Sequence, residues 1–204
     1  MNAEERKTHI LKCAKKLFSQ HGYYKTQISD IINDAGIARG TVYQYFTNKD
    51  DIFVTLIENF YHDWEKSITL NQDGLDLSTI SPKQYIHHRI RNTLAFLEAD
   101  RDLCNIVLRM GIGLHRDFDA LMQRFEKKII NLVTGDLELG IKYGSVRKDL
   151  NMELTANIMA GALFRISYHY FVQKKSAHND LNAITGEILD IFLPGIFVQK
   201  KKTN

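Results

Sequence analysis

Between Ala38 and Phe46 the chain sets out a cation, an amide and three hydroxyls at a spacing suited to reading base-pair edges. Arg39 can fork onto the two acceptors of a guanine, and Gln44 can pair with an adenine. Thr41, Tyr43 and Tyr45 can donate to phosphate oxygens or pack on thymine methyls, and Gly40 lets a backbone come close to a duplex. The competing reading for Tyr43 and Tyr45 is that they simply pack the small domain that carries them. Such groups need a rigid base. Ile28, Ile31, Ile32 and Ala35 recur at three- and four-residue spacing, which predicts a helix with one apolar face. Gly36 can take the left-handed conformation that stops a helix, and Ile37 can turn back onto the core. A second helix restarts near Ala38 and runs through Phe46, with Val42 and Phe46 pointing inward. Two short helices with so tight a turn suit a helix-turn-helix whose second helix enters a DNA major groove.

The rest of the chain reads as helix throughout. Residues 3–21 form the first helix, with Ile10, Ala14, Leu17, Phe18 and His21 on one face, and Gly22 ends it. Asn48 caps a long helix over 48–70, whose stripe runs through Ile52, Phe53, Leu56, Ile57, Phe60, Tyr61 and Trp64. Residues 71–82 are loop by composition. Ser81 and Pro82 start a helix to Ala99, with Tyr85, Ile86, Ile90, Leu94 and Leu97 inward. Shorter and longer helices follow over 100–110 and 116–143, separated by Gly111-Ile112-Gly113. Helix eight is expected over 152–175 and helix nine over 181–199, with a kink or a new turn at Pro194. About nine helices result, and the fold class is all-α.

The run Ala35-Gly36-Ile37-Ala38-Arg39-Gly40-Thr41-Val42-Tyr43-Gln44-Tyr45-Phe46, followed by Asn48-Lys49-Asp50 and Ile52-Phe53, closely resembles the DNA-binding domain of the TetR family of transcriptional regulators. Upstream, Ile10-Leu11, Ala14 through Phe18, Gly22-Tyr23 and Thr26 resemble that family's first helix and its exit, so the resemblance covers roughly residues 5–65. It implies a helix-turn-helix head over 1–50, a linking helix over 48–70, and an effector-binding and dimerisation body over 51–204. It implies DNA contacts at Thr26, Gln27, Ser29, Ala38, Arg39, Gly40, Thr41, Tyr43, Gln44, Tyr45 and Lys49. The family has a threonine where Gln27 stands. Glutamine caps a helix poorly, so Thr26 is expected to cap one residue early.

For the body, the resemblance implies a small-molecule cavity. Its candidate lining is Tyr61, Trp64, Leu103, Val107, Met110, Phe118, Met122, Phe125, Phe164, Arg165, Tyr168 and His169. An aromatic and methionine stripe is equally the mark of plain core. Arg165 either holds an anionic head group or pairs with Glu187 or Asp190 across a dimer. From Leu154 to Ile166 helix eight is apolar nearly all round, which calls for burial on both sides. The family's last two helices form a four-helix bundle with their symmetry mates. That places Ile158, Gly161, Ala162, Ile188, Phe192 and Ile196 in a homodimer interface; the alternative is a monomer with both helices central.

Charge agrees with the head. Through residue 49, eight cations face four anions, while the whole chain of 204 residues carries only +3. A solvated helix face would look the same, so charge alone does not decide. No apolar run approaches membrane-spanning length and no leader pattern opens the chain, which predicts a cytoplasmic protein without a membrane partner. Cys13 and Cys104 are far apart and read as free thiols. The eight histidines show no ligand spacing, and no catalytic or nucleotide motif occurs, so no metal, cofactor or enzymatic activity is expected. The implied function is a ligand-responsive transcriptional regulator, foremost a repressor. It would bind a near-palindromic double-stranded operator as a dimer and leave it on binding a small hydrophobic or amphiphilic effector. The competing class is a helical protein- or lipid-binding module without specific DNA binding.

Overall fold

A computed structural model describes residues 1–69, 80–110, 116–174 and 179–198; the side chains of Arg109, Met110, Arg116, Asp117 and Met122 lie outside that description. The expected loop at 71–82 falls mostly outside it, as do the 111–113 break and residues 199–204. Among the described residues there are nine α-helices, one π-helical turn and no strand.

The head consists of α1 (Ala3–His21), α2 (Ile28–Ala35) and α3 (Arg39–Tyr43). Asn2 and Glu5 cap the start of α1 reciprocally: the Glu5 amide donates to Asn2 Oδ1 at 2.9 Å and the Asn2 amide to Glu5 Oε2 at 2.8 Å. Gly36 ends α2 in the left-handed region at φ 62°, which a side-chain-bearing residue would resist. Helical winding continues past Tyr43, because the Tyr45 and Phe46 amides both donate to the Val42 carbonyl. Val42 and Phe46 are fully buried, as their spacing predicts, whereas His21 is exposed.

The long helix α4 (Lys49–Ser67) starts at the Asn48 cap, with Asp50 and Asp51 at its positive end. Its stripe packs on the head at one end and on the body at the other. A single apolar cluster therefore runs from Ile10 and Phe18 through Ile52, Phe53 and Tyr61 to Leu103, Phe118 and Phe125. A polar seam ties α1 to α6 (Arg101–Met110): Lys15 pairs with Asp100, Ser19 Oγ donates to Asp102 Oδ1 at 2.7 Å, and Asn105 Nδ2 donates to the Ser19 carbonyl at 3.0 Å.

Helices α5 (Pro82–Ala99), α7 (Arg116–Lys142), α8 (Met152–Ser167) and α9 (Leu181–Ile196) complete the body. Expected as one helix to residue 175, the eighth instead widens into a π turn at Tyr168–Gln173. Ser167 Oγ donates back to the Leu163 carbonyl at 2.8 Å at the junction, a bond that loosens and bends a helix. The wider winding buries both Phe171 and Val172 in a second cluster with Cys104 and Ile188. Pro194 starts no new turn: α9 runs through it and ends two residues later. At Gly140 a β-carbon would stand 2.4 Å from Val146 Cγ2, so the turn after α7 closes there only on a glycine.

Candidate DNA-reading face and effector cavity

Helix α3 is seated on Val42, and its outward residues stand in solvent. Ala38, Arg39, Gly40, Tyr43 and Gln44 are exposed and Thr41 is half-buried. Arg39 and Tyr43, four apart, share one face, with the guanidinium 5.6 Å from the ring centre. A β-carbon on Gly40 would meet nothing within the chain, so the room beside it is open to a partner. Tyr45 is half-buried against the first apolar cluster, which is the packing role its alternative reading assigned.

Two expected contacts are corrected by burial. Thr26 is 1% exposed and does not cap α2; its hydroxyl donates to the Gly22 carbonyl at 2.8 Å. The start of α2 is held by Asp30, whose carboxylate accepts the Gln27 amide at 2.8 Å. Gln27 and Ser29 remain exposed, with Ser29 Oγ donating to Gln27 Oε1 at 3.4 Å. Lys49 turns inward. Its ammonium donates to the carbonyls of Tyr23 and Thr26, both at 2.9 Å, and lies 4.0 Å over the Tyr23 ring. Burial pushes its pKa down. Lys49 thus fastens the α1–α2 connection to the start of α4.

A cavity of about 100 Å³ opens within the body. Trp64 and Ile68 of α4, Ile90 and Thr93 of α5, Leu132 of α7, Phe164 of α8, and Ile188 and Phe192 of α9 form its largely apolar wall. Of the ten candidates whose side chains are described, Trp64 and Phe164 line it. Tyr61, Leu103, Phe118 and Phe125 are buried in the first cluster instead, and Val107 packs against it. The reason is stacking: Tyr61 meets Phe125 at 5.2 Å, and Phe118 meets Phe53 and Tyr23 at 4.9 Å each. Arg165 and His169 are exposed and Tyr168 is half-buried; Arg165 Nη1 donates to Gln173 Oε1 at 3.3 Å. The Met110 and Met122 side chains lie outside the described residues.

Sequence reasoning missed the charged part of the wall. Arg89 donates to Asp136 Oδ2 through Nε at 3.1 Å and Nη2 at 2.9 Å, and the Tyr85 hydroxyl donates to Asp136 Oδ1 at 2.6 Å. Burial, then the Asp136 carboxylate, pushes the Tyr85 pKa well above the usual phenol range. The available signal was Arg89 itself, a lone cation among the inward positions Ile86, Ile90 and Thr93 of α5.

The expected dimer residues divide. Ile188 and Ile196 are each 5% exposed, buried by their own chain, and Phe192 is half-buried and lines the cavity. Ile158 at 52% and Gly161 face outward, and Ala162 is half-buried. On the last two helices, Leu154, Ile158 and Gly161 of α8 and Ile191 of α9, 75% exposed, are left open to solvent. Among the described residues no helix is long and apolar enough to cross a membrane, and no three His, Cys, Asp or Glu side chains converge to hold a metal.

The family described as bacterial regulatory proteins, tetR family, matches residues 10–56, most of α1, all of α2 and α3, and the first turns of α4. The HTH-type transcriptional regulator HbdR of Aromatoleum is 32% identical over 130 residues, spanning 64% of this chain and 55% of that one. The fatty acid metabolism regulator protein of Bacillus subtilis is 24% identical over 92% of this chain and 93% of its own. The crystal structure of FadR from Bacillus subtilis in complex with stearoyl-CoA superposes with a TM-score of 0.77 at 23% identity, covering 93% of this chain and 98% of that one, a likeness of fold. The helix-turn-helix geometry lies in the segment that matches the tetR family, and the fold is shared over 93% of the chain, so the head is a tetR-family DNA-binding domain and the whole chain is similar to TetR-family transcriptional regulators.

Proposed function

We propose that this regulator is a homodimeric repressor, acting in the cytoplasm, that an acyl-type effector releases from its operator. Residues 1–50 are its reading head, and 51–204 its effector and dimerisation body. Arg39, Gly40, Thr41, Tyr43 and Gln44 read base edges and backbone, with Gln27, Ser29 and Ala38 beside them. Thr26, Tyr45 and Lys49 support that face from beneath. The observation that carries the reading is the outer face of α3, where a cation, an amide and a phenol stand exposed over the sealed Val42. Two such heads reach half-sites roughly 34–36 Å apart in a near-palindromic duplex. The open residues Leu154, Ile158, Gly161 and Ile191 are what a second copy covers. The effector is an alkyl-chain ligand, because the cavity wall is apolar and because the similar FadR was crystallised with stearoyl-CoA.

The test is binding of the purified protein to the DNA upstream of its own gene, with a salt titration and then decanoyl-CoA. Nanomolar binding to one fragment, weakening steeply with salt, is expected. Tyr43→Ala should cost roughly 1–3 kcal/mol of that binding and leave the dimer intact. Ile158→Glu with Ile191→Glu should give monomers by light scattering. Salt-insensitive or fragment-independent association would instead favour a helical binding module.

A further inference from the structure

The guanidinium of Arg89 makes three hydrogen bonds to two partners of unequal strength. Asp136 takes Nε and Nη2 at 3.1 and 2.9 Å, a charge-assisted pair. The Ile68 carbonyl, at the C-cap of α4, accepts from Nη1 at 3.4 Å, the outer limit of a hydrogen bond. Two neighbours on α5 hold the same end of α4: Asn92 Nδ2 donates to the Ser67 carbonyl at 3.1 Å, and Thr93 Oγ1 accepts from Trp64 Nε1 at 3.1 Å. Trp64, Ile68, Arg89 and Thr93 also line the cavity. The wall that an effector touches is therefore the seam that fastens the end of α4, whose other end Lys49 fastens to the head.

Resting on the reading of this cavity as the effector site, we propose that Arg89 senses the effector by exchanging its weaker partner. A neutral acceptor oxygen, the carbonyl of an ester or thioester on an alkyl chain, accepts the Nη1 hydrogen bond in place of the Ile68 carbonyl. One of the three ties between α5 and α4 is then released. Neutrality follows from charge balance. The Asp136 carboxylate already compensates Arg89, so an entering carboxylate would meet a like charge across a few ångströms of apolar surroundings with no cation left to pair with it. A carbonyl oxygen brings no charge and needs only the donor that Ile68 holds loosely.

Trp64 is the chain's single tryptophan and lines the cavity, so its emission reports occupancy directly. The experiment titrates the full chain with methyl decanoate and, separately, with decanoate at pH 8. Wild type should bind the ester at least roughly tenfold more tightly. Asp136→Asn keeps an acceptor for Arg89 and Tyr85 but leaves the cavity cationic, so it should move the ester-to-acid ratio at least roughly tenfold toward decanoate. Arg89→Lys retains the ion pair without the fork and should weaken the ester alone. Equal binding of both ligands by wild type, or an Asp136→Asn variant that loses stability and weakens both equally, would overturn the proposal by making the pair purely structural. Silence of Trp64 with both ligands in folded wild type would overturn the acyl-effector reading and this inference with it, while leaving the DNA-binding reading untouched.

Discussion

On α3 the polar side chains stand in solvent with one another as neighbours, whereas Arg89 and Asp136 of the cavity wall are bound to each other and to the Tyr85 hydroxyl of α5. A surface that must grip an anionic polymer keeps its donors unengaged, because phosphates and base edges supply the acceptors. A wall that must accept an apolar ligand cannot leave a charge unpaired, so its polar groups are satisfied within the chain. Helix α4 belongs to both regions. Its first residue, Lys49, is half-buried against the head, and Trp64 and Ile68 near its end face the cavity. The two regions do opposite chemistry, yet one helix with one continuous apolar stripe joins them.

The strongest test of that continuity is Phe53→Ala. Phe53 is 1% exposed and meets Phe18 and Tyr23 of the head at 5.4 and 4.7 Å, and Phe118 of α7 at 4.9 Å. Truncation should cost about 3–5 kcal/mol. Head and body should still lose structure in a single thermal transition, seen alike by circular dichroism and Trp64 emission. Two separated transitions would break the comparison, because the head would then be an independent unit merely tethered to α4.

A smaller effect separates support from contact. Lys49→Met removes two hydrogen bonds from a half-buried ammonium, and the relief of its desolvation offsets part of that loss, leaving a cost of about 1 kcal/mol. A lysine that neutralises a phosphate contributes about one unit to the salt slope of DNA binding. The variant should therefore melt earlier and bind somewhat less well while its salt slope stays that of wild type. A slope reduced by about one would return Lys49 to the DNA.

How much of this was readable from the chain differs between the regions for a physical reason. The head is local: Gly36 stops a helix, Val42 and Phe46 anchor the next, and the outward residues follow from a period of 3.6. Even there Thr26 and Lys49 misled, since their burial depends on contacts with Gly22, Tyr23 and the start of α4 rather than on their own neighbours. The body is built from distant pairs. Arg89 and Asp136 are 47 residues apart, and no periodicity links α5 to α7. Aromatic residues assigned to the cavity fill the first cluster because rings stack efficiently. Ile188 and Ile196 turned inward while Ile191 turned out, a rotation of α9 that an almost wholly apolar helix does not encode.

The mildest perturbation separates the two regions without touching either surface. Cys104 is fully buried in the second cluster, and desolvation, then Asp100, pushes its thiol up to about 12. The unfolded chain releases that proton near the ordinary thiol value of 9.0, so between there and about 12 the folded state holds more protons than the unfolded one. Stability from this site is complete below pH 9 and is lost as pH rises through that window. Tyr85 acts in the same direction at higher pH, and it too belongs to the body. Lys49 acts in the opposite direction, since its depressed pKa makes the folded head easier to keep as pH rises. Burial also raises the Cys13 thiol of the head, so alkaline titration should lower the melting temperature through both regions, and Cys104→Ala should remove the body's share of the slope above pH 9 even though the variant starts out less stable. At pH 8 the same thiol should react with a thiol-specific reagent far more slowly than in the unfolded chain, because it is both covered and protonated. A Cys104→Ala slope identical to wild type would mean that the body's packing does not hold this proton, and that the second cluster opens far more readily than the head beside it.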